Sequence, residues 1–226
     1  MALTRLGGAN AISGIVPVAN GGTGLSSGTT DQFLKFTGST TLASASDNAG
    51  ALVHIKTQTI SSAVSSVSFV NGSSDVVFDS TYKYYIVRGE GIRMDTSAQN
   101  FLIKFSENTG SSYSDSDGVE KFNSASSGAT GNTLQYRSSA RLTGQGLKTS
   151  SGFAAFFEIT ITNASSSTKR TYVTGHCGNS KDNDHELYAS FTYKHGNANA
   201  TDAFQIVTNS NNLNSGSISL YGVTTS

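Results

Sequence analysis

Over its first fifty residues the chain shows no sustained alternation of apolar and polar positions, only isolated apolar residues between glycines such as Gly7, Gly14, Gly21, Gly24, Gly28 and Gly38. From about residue 51 the pattern changes. Short stretches with apolar residues at every second position are separated by Gly, Ser, Asn and Asp clusters, which is how strands joined by turns read. This spacing predicts strands over 52–59, 64–70, 82–88, 101–106, 133–137, 153–162, 169–174, 187–194, 203–208 and 217–223. In Phe101-Leu102-Ile103-Lys104-Phe105 the odd positions share one face and Lys104 takes the other, and Phe157-Glu158-Ile159-Thr160-Ile161-Thr162 repeats the scheme. Each such strand buries one face and wets the other, as antiparallel sheets do. The fold class expected is all-β: an antiparallel, jelly-roll-like β-sandwich head over 51–226, preceded by a Gly-rich extended anchor segment over 1–50. A domain of the head's size buries about two-thirds of its unfolded surface, enough for one core. Polar stretches at 108–118, 124–132, 162–168, 178–184 and 209–216 are expected as loops at the sandwich ends, where recognition of a ligand is most often placed.

The segment before residue 51 is too poor in bulky residues to build a core alone. Its apolar positions, Ile12, Ile15, Val16 and Val18, then Phe33, Leu34 and Phe36, read as pegs for packing against other chains, an oligomerisation or anchor device. Composition supports a folded β protein. Ser, Thr, Asn and Gly make up almost half the chain, and the first three compete with helical backbone bonds. Yet Leu, Ile, Val and Phe number 49 of 226 and the net charge is zero, so the chain escapes the disorder signature of few such residues with high charge.

Charge and targeting narrow the function. With 15 basic and 15 acidic side chains the chain lacks the net attraction expected of a nucleic-acid binder or of a protein held on an anionic membrane. No apolar run approaches the roughly 18 residues that membrane insertion needs. The single cysteine, Cys177, makes no intrachain disulfide, and Met1 to Gly8 contain no apolar signal-peptide core, so export by the general secretory route is not expected.

Candidate chemistry is sparse. His176 and Cys177 are adjacent, and neighbours on a strand point to opposite faces, so they do not form a base and nucleophile. One cysteine and four scattered histidines fit no zinc spacing. Asp115-Ser116-Asp117-Gly118 resembles part of a calcium loop, but Tyr113 and Ser124 stand where that loop needs carboxylates, so a solvated turn is preferred. Asp182, Asn183, Asp184 and His185 form the densest acidic stretch. Together with Tyr113, Asp115 and Asp117 they are the candidate loops for a glycan, a receptor or a cation. No phosphate loop or dinucleotide fingerprint occurs, so no cofactor, no resident metal and no catalytic residue are expected. Glu90, Glu107, Glu120 and Glu158 lie on separate segments and motivate only a weaker alternative, a glycan depolymerase working through paired carboxylates.

Residues 12–24, ISGIVPVANGGTG, resemble a segment found in many bacteriophage tail fibres and related virion proteins, and Gln32 to Gly38 with Leu42-Ala43 resemble its continuation, Phe33 and Phe36 being departures. Phe78 to Tyr85, Phe105 to Tyr113 and the closing Asn214 to Val223 look like a domain recurring in structural proteins of marine and cyanobacterial phages. The resemblance implies a non-enzymatic virion component: a homotrimer, attached through its N-terminal segment to other virion proteins of tail or capsid, whose head contacts a host cell-surface glycan. The alternative it leaves open is a capsid decoration or tail adaptor protein that stabilises neighbouring subunits.

Overall fold

The structure, a computed structural model, describes residues 22–23, 25, 27–30, 32–39, 41–45, 52–95, 100–126, 129–143, 153–180 and 186–224. The chain divides into two units, Met1–Gly50 and Ala51–Ser226, each described by itself.

In the first unit, β1 (Phe33–Phe36) and β2 (Leu42–Ala45) pair antiparallel, Phe33 opposite Ala45 and Phe36 opposite Leu42. The Thr37 amide donates to the Thr41 carbonyl at 2.9 Å and closes the turn. A hairpin therefore stands where only an extended segment was expected. Four residues carrying two Phe and a Leu suit a strand, but they are too few for alternation to be seen in the sequence.

The second unit contains β3 (Leu52–Ile60), β4 (Ser66–Val70), β5 (Tyr84–Met94), β6 (Phe101–Ser106), β7 (Ser116–Ser126), β8 (Ala129–Arg137), β9 (Ala155–Thr162), β10 (Tyr172–Ser180), β11 (Glu186–His195), β12 (Ala203–Thr208) and β13 (Leu213–Val223). They form an eight-stranded sheet in the order β3-β13-β5-β9-β10-β11-β7-β8 and a three-stranded sheet in the order β4-β12-β6. Every pairing is antiparallel. The chain leaves the large sheet for the small one after β3, β5 and β11 and returns each time, so the two layers are laced together and share one core.

That core is the apolar phase of each strand. On β9 the side chains of Ala155, Phe157, Ile159 and Ile161 are buried, and on β11 those of Leu187, Ala189, Phe191 and Tyr193. The small sheet answers with Val67, Phe69, Ile103, Phe105, Phe204 and Ile206. Phe204 sits among rings, stacked on Phe69 at 4.9 Å and edge-on to Phe78 at 5.2 Å, while Phe78 lies 4.7 Å from Tyr85 of the large sheet. The two layers thus meet through aromatic contacts of the preferred offset and tilted kinds. The expected β-sandwich is present, with unequal sheets.

Three corrections to the expected elements have physical causes. Residues 116–118 and 124–126, expected in two loops, belong together with the unassigned residues between them to β7, whose inward position at 120 is a glutamate rather than an aliphatic residue, which hides the alternation. Residues 178–180, assigned to a loop, continue β10, since Gly178 and Asn179 are small or polar yet buried against β9 and β11. Residues 213–216 also belong to a strand, β13, whose register against β5 slips twice between Leu213 and Ser217. Gly216 there has φ 117°, and a Cβ on it would lie 2.8 Å from the Glu90 and Gly91 carbonyl oxygens, so a bulge rather than a regular ladder occupies the segment.

The interior also holds charge. Glu120 is fully buried, with Arg137 Nε donating to its Oε2 at 2.8 Å. Burial pushes the Glu120 carboxyl up, and Arg137 and then Arg141 pull against that rise. Burial, and then the charge of Glu120, raise the Tyr193 phenol far above its usual range. Near the end of β11, buried His195 meets Glu107, Nε2 to Oε1 at 2.9 Å, and Asn199 donates to the second Glu107 oxygen at 2.9 Å.

Candidate functional site

The structure separates the sequence-predicted residues. Tyr113 lies in the turn after β6, its hydroxyl oxygen 2.9 Å from where a side chain on Gly110 would begin. Asp115 pairs with Lys104 at 3.3 Å on the outer face of the small sheet. Asp117 stands on β7 of the large sheet, where it accepts from the Tyr136 hydroxyl at 2.6 Å and from Lys194 Nζ at 3.1 Å. Those bonds, the tyrosine's first, hold its carboxyl below the usual range. The two aspartates are therefore engaged by different lysines rather than turned to one cation. Among the described residues no group of three or more His, Cys, Asp or Glu is placed to hold a metal ion. Asp182, Asn183, Asp184 and His185 lie outside the described residues, as do Ile12, Ile15, Val16 and Val18.

Three of the four glutamates considered for hydrolysis are each tied to a basic or imidazole group: Glu158 to Arg88, Glu120 to Arg137 and Glu107 to His195. Cys177 is buried while His176 takes the opposite face, stacked against Tyr188, so the alternation expected for that pair holds. No family model, curated protein or solved structure matches the chain.

Among the described residues, concavities lie on the outer faces of both sheets. The larger, a groove of about 660 Å³, runs over the outer face of the small sheet between Ser66, Lys104, Asp115, Gln205 and Asn211. Its lining is mostly amide and hydroxyl, with the Lys104–Asp115 ion pair and the aliphatic Leu102 and Val207, and without an aromatic ring.

The second lies on the outer face of the large sheet. Strand pairing sets Arg88 of β5 opposite Glu158 of β9, and Glu158 opposite His176 of β10. Arg88 Nε donates to Glu158 Oε2 at 2.6 Å, and the guanidinium also sits 5.6 Å over the Tyr221 ring, which His54 meets edge-on at 5.3 Å. In the next row Gly178 lies between Phe156 and Tyr188. A Cβ on Gly178 would fall 2.4 Å from Phe156 Cε1, so the missing side chain is what lets that ring lean across β10. His176 and Tyr188 stack at 5.9 Å with 27° between their planes. Phe156 and Tyr188 remain about half exposed, at 49% and 46%.

The sequence points to loops, and these residues sit on strands. One signal was in the sequence: if Phe157 and Ile159 face inward, Phe156 and Glu158 must face water, and a phenylalanine on the wet face asks for a reason. The cross-strand partners were not readable, because register between β9, β10 and β11 is a tertiary fact.

Proposed function

We propose that the chain is a non-enzymatic structural component of a bacteriophage particle, a short fibre or surface appendage held by residues 1–50 and displaying the 51–226 sandwich as a head that contacts the host surface. The observation that carries this reading is the β1–β2 hairpin, in which Phe33, Leu34 and Phe36 are 62%, 51% and 64% exposed. A two-stranded hairpin is marginal in water on its own. Consecutive strand residues point to opposite faces, so covering Phe33 and Leu34 together requires neighbours on both sides. Further copies of the same segment supply them, and the resemblance of residues 12–24 to phage tail-fibre sequence supports a trimer on a particle. The second unit has a core of its own, whose described buried residues run from Ile60 to Val223.

Two measurements test the reading. Light scattering on the full chain is expected to give three times its 23.5 kDa, falling to a single chain when Phe33, Leu34 and Phe36 are all replaced by Ser, with the β-sheet circular dichroism retained. A monomeric wild-type chain removes the oligomerising role of the hairpin. An antibody label on purified particles is expected at a tail or surface appendage. A label along capsid faces shifts the assignment to a decoration protein, and none on the particle overturns the reading.

A further inference from the structure

We propose that the depression on the outer face of the large sheet, beside Phe156 and Tyr188, is a saccharide subsite for a neutral pyranose. This rests on the reading that the head contacts a host surface. The depression has a volume of about 350 Å³ and is lined by Arg88, Gly89, Glu90, Phe156, Glu158 and His176. That is within the size range of small-ligand pockets, which combine apolar rings with a few convergent polar groups.

The chemistry of the lining selects the ligand. Phe156 cannot swing into the core, because its strand alternation sends Phe157 there, and the space above Gly178 fixes where its ring goes. The stacked Tyr188 and His176 flank Gly178 from the opposite strand. The result is a platform of rings already in place in the free protein, which receives the C–H face of a sugar with little ordering cost. Beside it, the Glu158 carboxylate is oriented by Arg88 through Oε2 and offers acceptor capacity to ring hydroxyls, while Glu90 stands exposed at the β5 bulge. Two carboxylates, Glu90 and Glu158, stand here against the one guanidinium of Arg88, a balance that disfavours acidic polysaccharide and nucleic acid. A neutral sugar meets no such repulsion and uses both the rings and the carboxylates. The groove on the small sheet, though larger, has no ring to stack on and serves as the internal comparison.

The test uses the full chain on an array of neutral and acidic bacterial polysaccharides, followed by saturation-transfer NMR with oligosaccharides of whichever neutral polymer is retained. Binding of at least one neutral glycan is expected. Phe156→Leu, which keeps apolar bulk without a ring, and Tyr188→Ala are expected to weaken it about tenfold or more. Asp115→Ala and Gln205→Ala, in the other groove, are expected to leave it unchanged. The inference is overturned if no neutral glycan binds, if only acidic glycans bind, or if the ring variants, folded by circular dichroism, bind as well as wild type. A chain present in particles but binding no glycan sinks the subsite and leaves the particle assignment standing. A chain that binds through Phe156 but is absent from particles does the reverse.

Discussion

Phe204→Ala is expected to destabilise the sandwich by about 3–5 kcal/mol, the range for removing a buried phenylalanine and leaving a cavity. Phe204 belongs to the middle strand of the small sheet, between β4 and β6, so its side chain has no edge towards which neighbours can collapse. It is fully buried, stacked on Phe69 and edge-on to Phe78, which in turn meets Tyr85 of the large sheet. Losing the ring therefore loosens the contact between layers as well as the packing within one. Chemical denaturation should show a midpoint shifted down with the slope unchanged, as expected when stability and not the surface exposed on unfolding has altered. Phe156→Ala, by contrast, removes a ring from the wet face of β9 and should change stability by about 0.5 kcal/mol or less, as is usual for surface substitutions. A loss at Phe204 no larger than that at Phe156 would show that the two sheets are not held by their aromatic contacts.

The same contrast explains what could be read before the fold was known. β6, β9 and β11 announced themselves because their apolar residues fall on alternate positions, and the separation of Cys177 from His176 followed from the same period. β7 was hidden because its inward residue is Glu120. The start of β13 was hidden because a bulge at Gly216 breaks the register by which a strand is recognised. Loop placement failed in consequence. Once residues 116–126 are a strand, Asp117 is fixed on the large sheet while Asp115, just before it, pairs with Lys104 of the small sheet, so the two aspartates are bound by different lysines. The outer-face row formed by Arg88, Glu158 and His176 draws on three strands far apart in sequence. Each residue's face was legible, but their adjacency depended on the order β5-β9-β10, which periodicity does not encode.

The buried ion pair yields an equally large effect with a distinctive pH signature. Arg137→Met is expected to cost about 3–5 kcal/mol at neutral pH, because removing one partner leaves the other charge buried and uncompensated. Glu120 is that other charge, fully buried on β7 with Arg137 at 2.8 Å. Burial raises its carboxyl pKa above the ordinary 4.5, and Arg137 is the foremost group opposing that rise, so the substitution drives it further up. A carboxyl whose folded pKa exceeds its unfolded one takes up a proton more readily when folded. Its relative stability is then fullest below the unfolded value and is lost as pH climbs through the folded one. The deficit of Arg137→Met against wild type should therefore be smallest near pH 4 and widen steadily towards neutrality. Glu120→Gln keeps the shape and an oxygen to accept from Arg137 but carries no proton to titrate, so its cost should be smaller and its pH profile flat through the same window. Adding Glu120→Gln to Arg137→Met should recover much of the loss at neutral pH, since the buried charge that made the single change expensive is gone. Denaturant midpoints of the four proteins between acidic and neutral pH measure all of this. A deficit that grows on acidification would mean that the folded variant holds fewer protons at this site than folded wild type does, and that Glu120 is held as a carboxylate by something other than Arg137.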